Sequence, residues 1–196
     1  MDMIHAGTYD KYEVSAQRHI DAALAHVDQT RVVVQAGGHV GCFPVHLAKS
    51  FEVIYTWEPA LQDFIDLVKN IDLEGVASQV FVTRGMLGAA RGTGLLLEAG
   101  SGSCKRLKDQ PGPCPMYMLD DLALPVCDLI YLDVEGDELP ILIGASETIV
   151  RCSPVIVTED RPKYSEPGSI KTYLTDLGYT HVDTWMADLI WRRVTC

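Results

Sequence analysis

A doubly wound α/β domain built on a mostly parallel sheet is predicted by three features of the sequence. Short runs of β-branched and aromatic residues alternate with segments whose apolar residues recur at helical spacing, and this alternation holds for about 50 residues. The first such run, Val32-Val33-Val34, is apolar without interruption, as in a strand covered on both faces, and it leads directly into Gly37-Gly38-His39-Val40-Gly41. The second run ends on Trp57-Glu58-Pro59, which puts a carboxylate at the C-terminal edge of the neighbouring strand.

Taken in order, residues 11–28 carry Ile20, Ala23, Leu24 and Val27 at helical spacing and predict an N-terminal helix. Residues 31–36 form the first strand. Residues 42–50 follow as a short helix, with Pro44 in the first turn, where its missing N–H costs least. Residues 51–57 give the second strand, Leu61, Phe64, Ile65 and Val68 mark a helix, and residues 79–83 give the third strand. Between residues 86 and 115 glycine and proline are frequent and only Leu95-Leu96-Leu97 reads as a strand, so a sheet insertion or an ordered loop is expected there. Residues 127–133 are the fourth strand, and one helix should run through Leu139, Ile141, Leu142, Ala145 and Ile149. Residues 155–158 form the fifth strand, and residues 169–177 a helix closed by Gly178. Residues 180–184 and 189–193 form a terminal antiparallel hairpin.

With 196 residues, 47% hydrophobic and 22% charged, the chain is expected to form one domain over residues 1–196, comprising an N-terminal helical segment (1–30) and an irregular insertion (86–115). A net charge of -11 opposes attraction to nucleic-acid phosphates and to anionic membranes, so neither is expected as a partner. The dense basic run Lys105-Arg106-Leu107-Lys108 reads as a solvated loop. Six scattered cysteines without a CxxC pair read as thiols, and residues 1–6 lack the basic start and apolar core of a signal peptide. A cytoplasmic location is therefore expected. Nothing in the sequence speaks to oligomeric state.

Gly37, Gly38 and Gly41 suit a turn whose backbone must approach a ligand and start a helix there. As a dinucleotide fingerprint the turn, Ala36-x-Gly38-x-x-Gly41, is one glycine short. Glu58 can accept hydrogen bonds from two vicinal ribose hydroxyls, each worth roughly 1.5–3 kcal/mol for a charged acceptor. Pro59 fixes the turn behind it. At the end of the fourth strand Asp133 stands where ligands bind in such folds, and Glu159 and Asp160 end the fifth strand beside it. His39, next to the glycine turn, is a second candidate base. Glu135 either reaches the site or caps the helix that follows.

Gln35-Ala-Gly-Gly-His-Val-Gly41, Trp57-Glu-Pro59, Leu119-Asp-Asp-Leu122 and, most specifically, Asp133-Val-Glu-Gly-Asp-Glu-Leu-Pro-Ile-Leu-Ile-Gly-Ala145 resemble the FkbM-type methyltransferases. The resemblance covers about residues 31–160. It implies a Rossmann-like sheet of seven strands and S-adenosylmethionine as methyl donor. Gln35 would then face the methionine amino group, where the family usually has an acid, and Met86 would touch the adenine. Asp133 and Glu135 would belong to the catalytic signature. The acids Asp133, Glu159 and Asp160 also resemble the ion-binding set of Mg²⁺-dependent small-molecule O-methyltransferases. Equally open is pairing of Glu159 and Asp160 with Arg161 and Lys163. The expected function is O-methylation of a hydroxyl on a small molecule or glycan. The alternatives are a nicotinamide-dependent Rossmann oxidoreductase and a non-catalytic cofactor-binding or scaffold protein of the same fold.

Overall fold

The computed structural model describes residues 6–99, 103–107, 110–159 and 168–194. Seven strands form the main sheet: β1 (Val32–Ala36), β2 (Val53–Glu58), β3 (Val80–Arg84), β8 (Leu129–Leu132), β9 (Val155–Glu159), β10 (Tyr179–Trp185) and β11 (Asp188–Arg193). Their order is β10-β11-β9-β8-β1-β2-β3. All pairings are parallel except those of the terminal hairpin β10–β11 and of β11 with β9. The strand order reverses between β1 and β8, which creates the crevice where open α/β sheets place their ligands.

Helices cover both faces, as the uninterrupted apolar strands require. One core layer joins Val33, Ile54, Leu129 and Tyr131 of the sheet to Ile20 and Ala23 of α1 (Ala6–Leu24), Val45 and Leu47 of α2 (Cys42–Leu47), and Leu67 and Ile71 of α3 (Leu61–Leu73). The other packs Val34, Ile130 and Ile156 against Ile141 and Leu142 of α4 (Glu138–Ile143), Ile149 of α5 (Ser146–Cys152), and Ile170 and Leu174 of α6 (Ser169–Asp176).

Three elements depart from the sequence reading. The helix expected through residues 139–149 is two helices, because Gly144 passes against the Gly88 backbone with no room for a Cβ. Its carbonyl accepts Asp120 N–H at 3.0 Å, and the Asp120 carboxylate caps α5 through Thr148 N–H at 2.8 Å and Glu147 N–H at 3.0 Å. On α3 the apolar residues Leu61 and Val68 face outward, while Asp66 and Asn70 are fully buried. Asn70 earns that place by donating to the Val40 carbonyl at 2.7 Å, which holds the glycine turn to α3.

The third departure is the number of strands in the insertion. Of the two readings, sheet insertion or ordered loop, the sheet is found, but with four strands where only residues 95–97 read as one: order β4-β7-β5-β6, from β4 (Met86–Leu87), β5 (Gly92–Ala99), β6 (Ser103–Leu107) and β7 (Cys114–Tyr117). A 3₁₀ turn, Leu119–Leu122, returns the chain to the main sheet. Cys42, Cys114, Cys127 and Cys152 form no disulfide. Among the described residues no helix is long and apolar enough to cross a membrane.

Candidate functional site

A cavity of about 380 Å³ opens at the C-terminal ends of β8, β1, β2 and β3. That is within the range that holds one small ligand. The glycine turn forms its floor. Gly37 has φ 91° and so close an approach to the Asp133 carbonyl that any Cβ would overlap it, which is what brings the ends of β1 and β8 together. His39 also has positive φ, 46°, an uncommon conformation for a residue with a side chain. Its N–H is thereby aimed at Glu58 Oε2, 2.8 Å away. The Ala60 N–H donates to Glu58 Oε1 at 2.8 Å. Glu58 is 5% exposed, and burial pushes its carboxyl up to about 7 despite the two N–H donors.

Of the ten residues expected to bind cofactor or act in catalysis, Gly37, Gly38, His39, Glu58, Pro59, Met86, Asp133 and Glu135 line this cavity. Gln35 and Gly41 do not. Gln35 is fully buried and its amide is used within the fold: Nε2 donates to the Gly37 carbonyl at 2.8 Å and Oε1 accepts the Thr56 hydroxyl. It clips the strand to the turn rather than facing a ligand. Gly41, φ 103°, is the N-cap of α2 and packs on Leu67.

The signature after β8 is a second left-handed turn, Glu135 at φ 56° and Gly136 at φ 107°. It exposes Asp133 and Glu135 to the cavity, while Glu138 turns inward, accepts the Gly136 N–H at 3.2 Å, and is pushed up by burial. The upstream Leu119-Asp120-Asp121-Leu122 has structural work: Asp120 caps α5, and Asp121 pairs through both oxygens with Arg91.

Of the three acids considered for a metal, two fall within the described residues. Asp133 lines the cavity, Glu159 is buried at the end of β9, and Asp160 lies outside the described residues. Among the described residues no group of three or more His, Cys, Asp or Glu is placed to hold an ion. Beside Glu159 the register instead brings Asp188 of β11, which accepts the Tyr131 hydroxyl and pairs with His19 Nδ1 at 2.6 Å. Among the described residues a histidine thus stands beside these acids, while Arg161 and Lys163, the other partners considered, lie outside the described residues. The hydrogen bond to Asp188, reinforced by the fields of Asp133 and Glu159, raises the His19 pKa against the opposing effect of burial.

Sequence reasoning missed the far wall of the cavity. Arg106, assigned to a solvated basic run, is a β6 residue with a 17% exposed side chain that lines the cavity together with Asp137 and Leu96. Phe43 and Trp57 line it too; the buried Trp57 indole N–H has no partner among the described residues. The alternation of Leu95-Leu96-Leu97 with the basic run was the available signal, since two β segments about ten residues apart can form a hairpin.

The model of the methyltransferase FkbM domain matches residues 106–180, which include the whole of the second left-handed turn and the β8–β9 crossover. Residues 106–180, which are 75 of the 196 residues, are therefore similar to an FkbM methyltransferase domain. An FkbM methyltransferase from Methylobacillus flagellatus has a similar structure, with a TM-score of 0.60 and 18% identity over 83% of this chain. This chain spans 43% of the length of that FkbM protein. A methyltransferase from Thiobacillus denitrificans, solved with S-adenosyl-L-homocysteine, matches with a TM-score of 0.55 and 12% identity over 95% of this chain and 75% of its own. An rRNA methylase from Streptococcus thermophilus matches with a TM-score of 0.52 and 12% identity over 92% and 95%. At these identities the likeness is one of fold. No curated protein matches the chain.

Proposed function

We propose that the protein is an S-adenosylmethionine-dependent methyltransferase that methylates a hydroxyl group of a small molecule or glycan. The observation that carries this reading is the presence, around one cavity, of a buried Glu58 at the end of β2, the Gly37-Gly38 turn after β1, and Asp133 after β8 on the other side of β1. The FkbM domain match over the Asp133 turn supports it.

The cavity fits the cofactor by chemistry as well as size. Glu58 keeps lone pairs for ribose hydroxyls after accepting two N–H groups, and the turn offers backbone where a side chain would collide. Trp57, Met86 and Leu87 offer an apolar surface for a purine. S-adenosylmethionine, when bound, supplies an electrophilic methyl group. The protein's share is to align an acceptor hydroxyl and take its proton. Asp133 Oδ is assigned that proton, with Glu135 orienting the hydroxyl and His39 fixing Glu58 through its backbone. The described acids do not fit a magnesium site, so no step is given to an ion.

Calorimetry with S-adenosylhomocysteine and with NAD(H) tests the reading. Binding of the first without the second is the expected result. Binding of NAD(H) alone, or of neither, overturns it. The acceptor is then sought by following methyl transfer from labelled donor to hydroxylated small molecules and glycans.

A further inference from the structure

We infer that Arg106, delivered by the β5–β6 hairpin, is a cofactor-site residue whose ion pair with Asp137 fastens the second sheet as a roof over the purine end of the cavity. The inference rests on the methyl-donor reading and deepens it: the insertion serves the cofactor.

The hairpin register is the first ground. Leu96 of β5 is the direct antiparallel partner of Arg106 of β6, so both side chains lie on one face, and both line the cavity. Gly94 is the second. A Cβ there would run into the Met86 methyl and come within 3.3 Å of Arg106 Cδ, so the absence of a side chain lets the arginine stem lie beside Met86. Met86 follows β3, one strand beyond the Glu58 strand and two beyond the glycine turn. A nucleoside with its ribose at Glu58 and its sulfur toward Asp133 has its base on that side, under Met86, Leu96 and Arg106.

The third ground is the pair itself. Arg106 Nε and Nη2 donate to the two Asp137 oxygens at 2.8 and 2.7 Å, a bidentate fork. The side chains are 17% and 15% exposed, well removed from the solvated pairs that contribute little. Asp137 is the N-cap of α4 and Arg106 belongs to the other sheet, so the fork joins the two layers across the cavity. A ligand seated beneath it leaves when the hairpin lifts, so breaking the fork should act on dissociation more than on association.

The test measures association and dissociation rates of S-adenosylhomocysteine on the immobilised full chain by surface plasmon resonance. R106Q and D137N are each expected to raise the dissociation rate about tenfold while the association rate stays within about threefold. The reversed pair R106D/D137R is expected to restore the slow rate, which a purely structural role of either residue would not produce. Hydrogen exchange on the parent chain gives a readout independent of variant folding: S-adenosylhomocysteine should slow exchange of the β5 amides. Parent-like dissociation from R106Q and D137N, or β5 exchange unaffected by ligand, overturns the inference and leaves the methyl-donor reading standing. A parent chain that binds no S-adenosylhomocysteine overturns both.

Discussion

Both oxygens of the Glu58 carboxylate accept backbone N–H groups, yet burial still outweighs them and leaves the group half protonated near pH 7. A carboxyl whose folded pKa is raised contributes stability that is complete below its unfolded value of 4.5 and is lost as pH rises to about 7. The unliganded protein should therefore lose up to about 3 kcal/mol between pH 4.5 and 8 through this group alone, and E58Q should remove that slope in urea titrations. Ribose hydroxyls donate to the ionised form, so S-adenosylhomocysteine should bind several-fold more tightly at pH 8 than at pH 6, with proton release in calorimetry. In E58Q the affinity should be lower by about tenfold at pH 8 and flat with pH; a sloping E58Q profile would assign the proton elsewhere. At Gly37 the issue is space. Gly37→Ala combines a strained φ of 91° with overlap onto the Asp133 carbonyl, and should cost about 3 kcal/mol or more in chemical denaturation.

Helix α1 is attached to the far end of the chain by a pair that titrates. His19 meets Asp188 across 169 residues of sequence, and its ring stands edge-on to Phe43, a cavity wall, at 6.2 Å between centroids. Because the His19 pKa is raised in the folded state, its contribution is complete below the ordinary histidine value and fades as pH climbs through the raised one. H19N keeps a donor without the charge. It should be less stable than the parent by about 1–2 kcal/mol at pH 6, and that difference should shrink by pH 9; a constant difference would make the pair a neutral hydrogen bond. Neither partner was readable beforehand. His19 stands alone in a helical pattern, and Asp188 falls between residues 180–184 and 189–193 of the expected hairpin. The elements that were legible carry their signal locally: β1 in its branched run, β2 in Glu58, the β8 turn in its acids and glycine. The β5–β6 hairpin and the split of α4 from α5 depend on partners far along the chain, Asp137 for Arg106 and Asp120 with Gly88 for Gly144. Periodicity within a window cannot register such partners. Asp137 is the more instructive case, since it fills an open position of the Asp-x-Glu-Gly-x-Glu signature and yet lines the cavity.

At the scale of the molecule, one sheet serves neighbours with very different substrates, and the S. thermophilus rRNA methylase is among the structures this fold resembles. Fold therefore leaves the acceptor open, and electrostatics discriminates. A protein that grips a polyanion releases counterions through lysine and arginine contacts, and its affinity rests largely on that release. Here 27 acids oppose 16 bases for a net charge of -11, and the cavity adds Glu58, Asp133, Glu135 and Asp137 around Arg106, whose charge Asp137 neutralises. A phosphate backbone approaching this mouth meets repulsion that cofactor binding relieves by at most the single sulfonium charge. Gel-shift titration with unfractionated tRNA should accordingly give a dissociation constant weaker than about 10⁻⁴ M near 0.1 M salt, with affinity that does not fall as salt is raised. Binding tighter than about 10⁻⁶ M that weakens steeply with salt would reveal a basic surface contributed outside the described residues, and would turn the acceptor assignment from hydroxylated small molecules toward RNA.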